Sequence, residues 1–253
     1  MNAPQPAAAV ALAANAADLF ITVPKVTLPN GTTVPTFRVG QYVCTQNSAG
    51  RAAVTAEGAP WVSINFEEAK AVCIAAGYAL ITELQWLAIA HDVAAQDCNW
   101  TKGKVGEGKL FRGIRKGSVS AAQPGNIEPA DSKERRWLTL SNGERICDVN
   151  GNVFQWMFDN VQGDEKGIVV KPFADESLSL QAPYPSLKKG MGWRPDAGSD
   201  WSVRALVRCG CWCSEAHAGV FSLGNVWPDY CGVDVGFRCT KSYAPLIELK
   251  GVH

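Results

Sequence analysis

No stretch of this 253-residue sequence stays apolar for long enough to span a bilayer, so no transmembrane helix is expected. No run of like charges occurs, and Lys plus Arg (24) equals Asp plus Glu (24), so net charge favours neither nucleic acid nor an anionic membrane. No segment recurs at a fixed period, which removes solenoids and propellers. No C-x-x-C knuckle is present, and that spacing supplies most structural zinc sites. No Lys or Arg precedes the alanine-rich start MNAPQPAAAVALAANAADLF, so residues 1–18 read as a loose Pro- and Ala-rich arm rather than a secretory signal. An even cysteine count is also missing: nine cysteines cannot all pair within the chain, and their spacing is not that of a small disulfide scaffold. Most framework cysteines are therefore read as reduced, small apolar fillers.

What is present suits a soluble globular chain, with 47% hydrophobic and 19% charged residues. From Leu19 short β-like runs alternate with turn signals, and Asn30-Gly31 predicts a tight hairpin. Two helices follow with start signals. Asn65 with Glu68 has capping-box spacing ahead of a face made by Phe66, Ala69, Val72, Cys73 and Ala76, and Gly77 stands where a left-handed cap is wanted. Thr82 with Gln85 forms a second box ahead of Leu84, Leu87, Ala88 and His91. No ligand partner lies at a convincing spacing from His91, so it reads as a half-buried helix residue. Residues 96–136 and 160–200 read as long loops. GKVGEGKLFRG in the first of them lacks both the Gly-Lys-Ser/Thr ending and a preceding strand, so it is read as a solvated loop and not a phosphate site. Asn142-Gly143 and Asn150-Gly151 predict two further hairpin turns. Two helices, short strands and long loops predict an α+β class with a single domain over 19–253.

The chemistry, if any, concentrates in CGCWCSEAHAGVFSLGNVWPDYCGVDVGFRC, residues 209–239, which holds five of the nine cysteines. Cys209, Cys211 and Cys213 alternate, so on a strand they would share one face, and with His217 or Cys231 they would compose a tetrahedral zinc set. Against that, alternate strand residues lie about 6–7 Å apart, which is awkward around one ion. A Cys211–Cys213 disulfide is disfavoured too, because alternate residues of an extended strand do not meet bridge geometry without a kink.

Four pieces in order carry a family resemblance: Trp61–Ala90 (WVSINFEEAKAVCIAAGYALITELQWLAIA), Asp148–Asp159 (DVNGNVFQWMFD), Arg204–Trp212 (RALVRCGCW) and Val235–Cys239 (VGFRC). Together they resemble the formylglycine-generating-enzyme (sulfatase-modifying factor) branch of the C-type lectin fold. The resemblance implies a small twisted antiparallel sheet with two helices and long loops. No Glu-Pro-Asn calcium cluster accompanies it, so sugar binding is not indicated. The enzymes of this branch carry a cysteine pair after the third piece. Aligned through Trp212, those two places fall at Ser214 and Gly219, and Cys213 is one residue off.

The last segment also resembles that of the variable proteins of diversity-generating retroelements, in which miscopied template adenines scatter Asn codons. Randomised AAC codons yield Cys, Ser, His, Gly, Asn, Asp, Tyr and Val without a stop. On this resemblance the variable region is about 204–239. The variable, ligand-contacting positions are Cys211, Cys213, Ser214, Glu215, His217, Ser222, Gly224, Asn225, Trp227, Asp229, Tyr230, Cys231, Val233 and Asp234. Trp227 requires a template codon such as AAA, and Glu215 is either fixed or from another codon. Cys209 stands where the family has Gly and belongs to the framework. Trp212, Phe221, Leu223 and Phe237 are expected as apolar anchors, Gly210, Gly219 and Gly236 for backbone reach, and Arg208 and Arg238 as structural donors. Trp227 and Tyr230 are the expected energetic anchors, unless Trp227 merely covers a sheet edge. The favoured expectation is a non-catalytic receptor-recognition protein with no cofactor, carried on a virion or a cell. Its partner would be a macromolecule, a protein on a cell surface. A sulfatase-modifying oxidase and a zinc-stabilised structural domain stand as alternatives.

Overall fold

The computed structural model describes residues 18–242. Of the expected arm only Asp18 is described; its carboxylate accepts from the Val54 amide at 2.7 Å and from the Tyr78 hydroxyl. Along the chain, β1 (Phe20–Val23) leads into a hairpin of β2 (Val26–Thr27) and β3 (Thr33–Val34), then β4 (Phe37–Gly40). That hairpin turns at Asn30-Gly31, where the Gly31 amide donates to the Leu28 carbonyl at 2.9 Å. A short ladder of β5 (Thr45–Gln46) and β6 (Ala52–Ala53) precedes the helices.

Helix α1 (Phe66–Ala75) begins with both bonds of the Asn65–Glu68 capping box and buries Phe66, Ala69 and Cys73. It ends with the Gly77 amide on the Ile74 carbonyl and the Tyr78 amide on the Cys73 carbonyl, the paired bonds of a glycine-terminated helix. After β7 (Ala79–Leu80), α2 (Glu83–Ala94) starts at the Thr82–Gln85 box. This helix is buried on nearly every side, including Trp86, Leu87, Ile89 and Val93, which makes it the central rod of the main core cluster. His91 is half-buried, edge-on to Phe221 at 5.1 Å. Burial, with help from the Arg208 charge, lowers its pKa to about 4.

The hairpin of β8 (Trp137–Thr139) and β9 (Arg145–Cys147) turns at Asn142-Gly143 as expected. Asn150-Gly151 does not make a hairpin, since β10 (Phe154–Met157) pairs with other strands and not with β9. The glycine serves close approach instead: a Cβ on Gly151 would lie 2.6 Å from the Ile114 carbonyl oxygen. The last strands are β11 (Ala205–Cys209), β12 (Gly219–Val226), β13 (Val235–Gly236) and β14 (Cys239–Ser242).

Among the described residues the strands form two four-stranded sheets, ordered β1-β4-β14-β7 and β12-β11-β10-β13, beside the three two-stranded ladders. The expected single antiparallel sheet is thus divided, and β13 runs parallel to β10. The parallel pair arises because the chain leaves β12 at one edge of its sheet and rejoins at the other, a crossover that a tight hairpin does not make. Two tryptophans bind these layers: the Trp86 indole donates to the Val220 carbonyl at 2.7 Å and the Trp156 indole to the Ile64 carbonyl at 3.0 Å. Each such buried aromatic stabilises the fold by roughly 1.5–3 kcal/mol through its apolar area alone. All nine cysteines are free thiols, and Cys44, Cys73, Cys147, Cys209, Cys211 and Cys239 are buried. Residues 96–136 and 160–200 hold no longer element than short 3-10 turns, at Asp97–Asn99, Leu178–Leu180 and Leu187–Lys189, and two isolated antiparallel bridges, Trp100 with Leu110 and Gly163 with Val169.

Candidate ligand-binding surface

Strand β11 is buried along its whole length. Two arginines fix its surroundings. Arg208 forms a two-pronged ion pair with Glu83 (Nε to Oε2 3.0 Å, Nη2 to Oε1) and donates to the Phe221 and Ser179 carbonyls at 3.0 Å each. Arg238 donates to the Gln155 side chain at 2.9 Å and to the Gly40 and Cys147 carbonyls at 2.6 and 2.7 Å. Both side chains are fully buried, so their role is structural. A second buried pair, Arg136 with Asp148, braces the loop that precedes β10.

At Cys209 the strand stops. Cys209 (φ +89°) and Gly210 (φ +91°) are both left-handed, so the chain turns instead of extending. The Cys209 thiol faces the core, where the Gly151 amide donates to Sγ at 2.9 Å and the Gly151 carbonyl lies 3.1 Å from it. Cys211 to Ser214 then form a tight turn, with the Ser214 amide on the Cys211 carbonyl at 3.1 Å and the Cys211 amide on Ser214 Oγ at 2.9 Å. Cys209, Cys211 and Cys213 therefore do not share a face, contrary to the strand reading. Among the described residues no group of three or more His, Cys, Asp or Glu is placed to hold a metal. The same turn brings the Cys211 and Cys213 sulfurs to 3.0 Å, which removes the extended-strand objection to their pairing.

The backbone beyond the turn is held by the framework. The Trp212 amide donates to the Asn152 carbonyl (2.9 Å), the Gly117 amide to the Trp212 carbonyl (2.8 Å) and the Glu215 amide to the Arg115 carbonyl (2.7 Å). Gly219 is required by contact: an added Cβ would meet the 190–192 backbone at 2.6 Å. Phe221, Leu223 and Phe237 are buried as expected, whereas Trp212 is only partly so. The loop from Trp227 to Asp234 is fastened the same way. Its Pro228 carbonyl accepts from the Phe66 amide (3.0 Å), its Gly232 carbonyl from the Ser63 amide (3.0 Å) and its Asp234 carbonyl from the Phe154 amide (2.8 Å).

The expected contact residues divide by exposure. Cys213, Glu215, His217, Trp227, Asp229, Tyr230, Cys231 and Val233 are exposed, and Ser214, Gly224, Asn225 and Asp234 are partly so. Cys211 (3% exposed) and Ser222 (4%) are buried, which corrects their placement on the surface. Cys211 lies inside the turn, and Ser222 is covered by the backbone at Gly192, where a Cβ would come within 2.7 Å of it. Tyr230 donates to Asp234 at 3.2 Å, and the Asp234 carboxylate raises the tyrosine's pKa. The same carboxylate contributes to the raised pKa of Cys213, so Cys213, Tyr230 and Asp234 occupy one patch. Trp227, whose carbonyl accepts from the Tyr230 amide at 3.0 Å, is 51% exposed, with the Arg204 guanidinium 3.2 Å from its ring centre. That contact holds one face of the ring.

One neighbour of this surface was not legible. Residues 191–193 run along the edge of β12, with the Leu223 amide on the Trp193 carbonyl (2.8 Å) and the Trp193 amide on the His217 carbonyl (2.9 Å). Trp193, 40% exposed, therefore stands beside His217. The two places of the enzymes' cysteine pair, Ser214 and Gly219, carry no thiol. A cleft of about 350 Å3 bordered by Asn30, Leu84, Asn160 and Gln162 includes none of the expected contact residues. No helix among the described residues is long and apolar enough to cross a membrane.

Residues 26–243 match the family described as sulfatase-modifying factor enzyme 1-like domain. A search among curated proteins finds no match. Among solved structures, the chain is similar to variable protein 1 of Treponema denticola at 15% identity, over 87% of this chain and 93% of that one, with a TM-score of 0.49. It is similar to PvdO of Pseudomonas aeruginosa at 13% identity, over 88% and 94%, with a TM-score of 0.42. The U1 variant of Major Tropism Determinant is matched at 13% identity, over 81% of this chain and 50% of that one, with a TM-score of 0.44.

Proposed function

The chain belongs to the sulfatase-modifying factor enzyme 1-like family, with the C-type lectin fold of its formylglycine-generating branch, and from that premise we propose that it acts by binding and not by catalysis. Its C-terminal segment, about residues 204–239, is a contact surface diversified through adenine-directed copying by a retroelement. Its ligand is a macromolecule, a protein presented on a cell surface, because the side chains concerned are exposed and do not line the cleft described above.

One observation carries this reading. The backbone that carries the exposed positions is anchored from outside the segment, at Trp212, Glu215, His217, Pro228, Gly232 and Asp234 by main-chain bonds to residues 152, 115, 193, 66, 63 and 154, beside local turn bonds such as Ser214 to Cys211 and Tyr230 to Trp227. Apart from Ser214, whose Oγ accepts from the Cys211 amide, side chains there are replaceable without unmaking the main-chain bonds that shape the loop. The places that would hold an oxidase's thiol pair are Ser214 and Gly219, which favours binding over that chemistry.

The neighbouring DNA tests the proposal. A near-copy of the segment encoding residues 204–239, differing almost only at template adenines and lying beside a reverse-transcriptase gene, is expected. If sequenced loci of this gene carry no such copy, diversification is refuted. Oxygen consumption by the purified protein with a cysteine-containing peptide would overturn the non-catalytic part and restore the oxidase.

A further inference from the structure

We propose that Cys211 and Cys213 are a dithiol couple that small disulfide compounds oxidise by thiol–disulfide exchange, closing an intramolecular bond on the contact face. The geometry is that of the tight turn from Cys211 to Ser214, which sets the two sulfurs 3.0 Å apart. Their environments divide the labour. Cys213 is exposed and meets the incoming disulfide, whereas Cys211 is 3% exposed and needs to reach only its neighbour. Ser214 Oγ lies 3.2 Å from the Cys211 sulfur, within hydrogen-bonding reach of it.

The exchange balances in two steps. The Cys213 thiolate attacks one sulfur of the compound RSSR, forming a Cys213–SR bond and releasing one thiol. The Cys211 sulfur then gives up its proton and attacks Cys213, forming the Cys211–Cys213 bond and releasing the second thiol. The protein loses two hydrogens and the compound gains them. A ring closed over one intervening residue is strained, so thiols in solution reopen it readily. Tyr230 and Asp234 adjoin the pair, so the patch changes shape and polarity with its redox state.

Partial burial, the Cys211 thiol and the Asp234 carboxylate push Cys213 up to about 11. Its thiolate fraction, and with it the exchange rate, should rise about tenfold per pH unit between about pH 7 and 9. The other exposed thiols lack a partner in contact: the Cys98 sulfur sits 3.8 Å from Asn99 Oδ1 and the Cys231 sulfur 3.6 Å from the Asp229 carbonyl.

The full chain carrying Cys98→Ser and Cys231→Ser is treated with oxidised glutathione under native conditions, alkylated, and read by intact mass and peptide mapping. The expected product has lost two hydrogens, retains no glutathione, and maps to one peptide containing Cys211 and Cys213. Adding Cys211→Ser should leave one glutathione stably on Cys213. The unsubstituted chain should yield the same cross-linked peptide, which guards against misfolding of the variants. Glutathione retained on Cys213 while Cys211 is present, or no reaction of Cys213 over that pH range, overturns the proposal. Neither result touches the binding function proposed above.

Discussion

At the scale of single residues, one buried and one half-buried group give the fold opposite responses to acid. Asp159 is fully buried; its Oδ1 accepts from the Val161 and Gln162 amides at 2.9 and 3.2 Å, while Oδ2 has no partner among the described residues. Burial first, and the Glu83 charge second, raise its pKa to about 6. A carboxyl raised in the folded state costs nothing below its unfolded pKa; the cost grows as pH climbs from about 4 to about 6 and is complete above that. His91, lowered to about 4, does the reverse. Its cost is nil above about pH 6.5 and grows as pH falls towards about 4. Each effect is of the order of 2–3 kcal/mol, so across this window they largely cancel. Asp159→Asn keeps the Oδ1 acceptor and removes the charge. The variant should be more stable than the native chain at pH 7, and its melting temperature should then fall visibly from pH 6.5 to 4 as the histidine's cost stands alone. A flat profile in the variant would mean that His91 is not held neutral. Exposure gives a second contrast. Ser222→Tyr, under the Gly192 backbone, should cost about 1–3 kcal/mol by overpacking. Val233→Tyr, at a site 62% exposed, should stay within about 0.5 kcal/mol in a denaturant titration.

Among elements, what is legible in the sequence is what neighbours in the chain decide. The Thr82–Gln85 and Asn65–Glu68 boxes, the glycine stop of α1, and the turns at Asn30-Gly31 and Asn142-Gly143 are all written within four or five residues. Thr82→Ala should therefore cost about 1–2 kcal/mol, since it frees an N-terminal amide of a helix buried nearly all round. Thr82→Ser should recover most of that loss in thermal melts, because it keeps the accepting oxygen. A loss no larger than that of an exposed substitution would make the box incidental. The illegible elements depend on remote chain. The alternation of Cys209, Cys211 and Cys213 has the period of a strand, but the left-handed pair at Cys209 and Gly210 ends β11, and an added Cβ on Gly210 would stand 2.7 Å from Ala218 Cα. Asn150-Gly151 has the letters of a hairpin, yet its glycine admits the Ile114 backbone from another loop. Neither partner is visible at the position it governs. The division into two sheets and the parallel pairing of β10 with β13 are likewise set by a crossover and not by any local pattern.

For the whole molecule, the candidate surface is legible where residue type and exposure agree, as at Cys213, His217, Tyr230 and Val233, and illegible where another part of the chain covers or completes it. Trp193 reaches the surface from a stretch without periodicity, and Ser222 leaves it because that same stretch lies over β12. The long loops thus serve as the outer wall of the scaffold, and the scaffold's stiffness rests on buried pairs such as Arg208–Glu83. This division of roles predicts how the chain tolerates many changes at once. Replacing Cys213, Glu215, His217, Asp229, Tyr230, Cys231 and Val233 together by Asn should leave a cooperative melt and an unchanged near-ultraviolet spectrum from the buried tryptophans. Each change is worth up to about 0.5 kcal/mol, so the sum stays within a few kcal/mol. Tyr230 and Cys213 have side-chain partners, Asp234 and Cys211, and should account for the largest shares. By contrast Glu83→Gln alone leaves a buried guanidinium without its counter-charge and should cost about 3–5 kcal/mol, as much as or more than the whole surface set. If the sevenfold variant instead melts broadly, with the tryptophan signal lost, those side chains help hold the loop in shape, and a freely variable face on a rigid carrier is not what this chain builds.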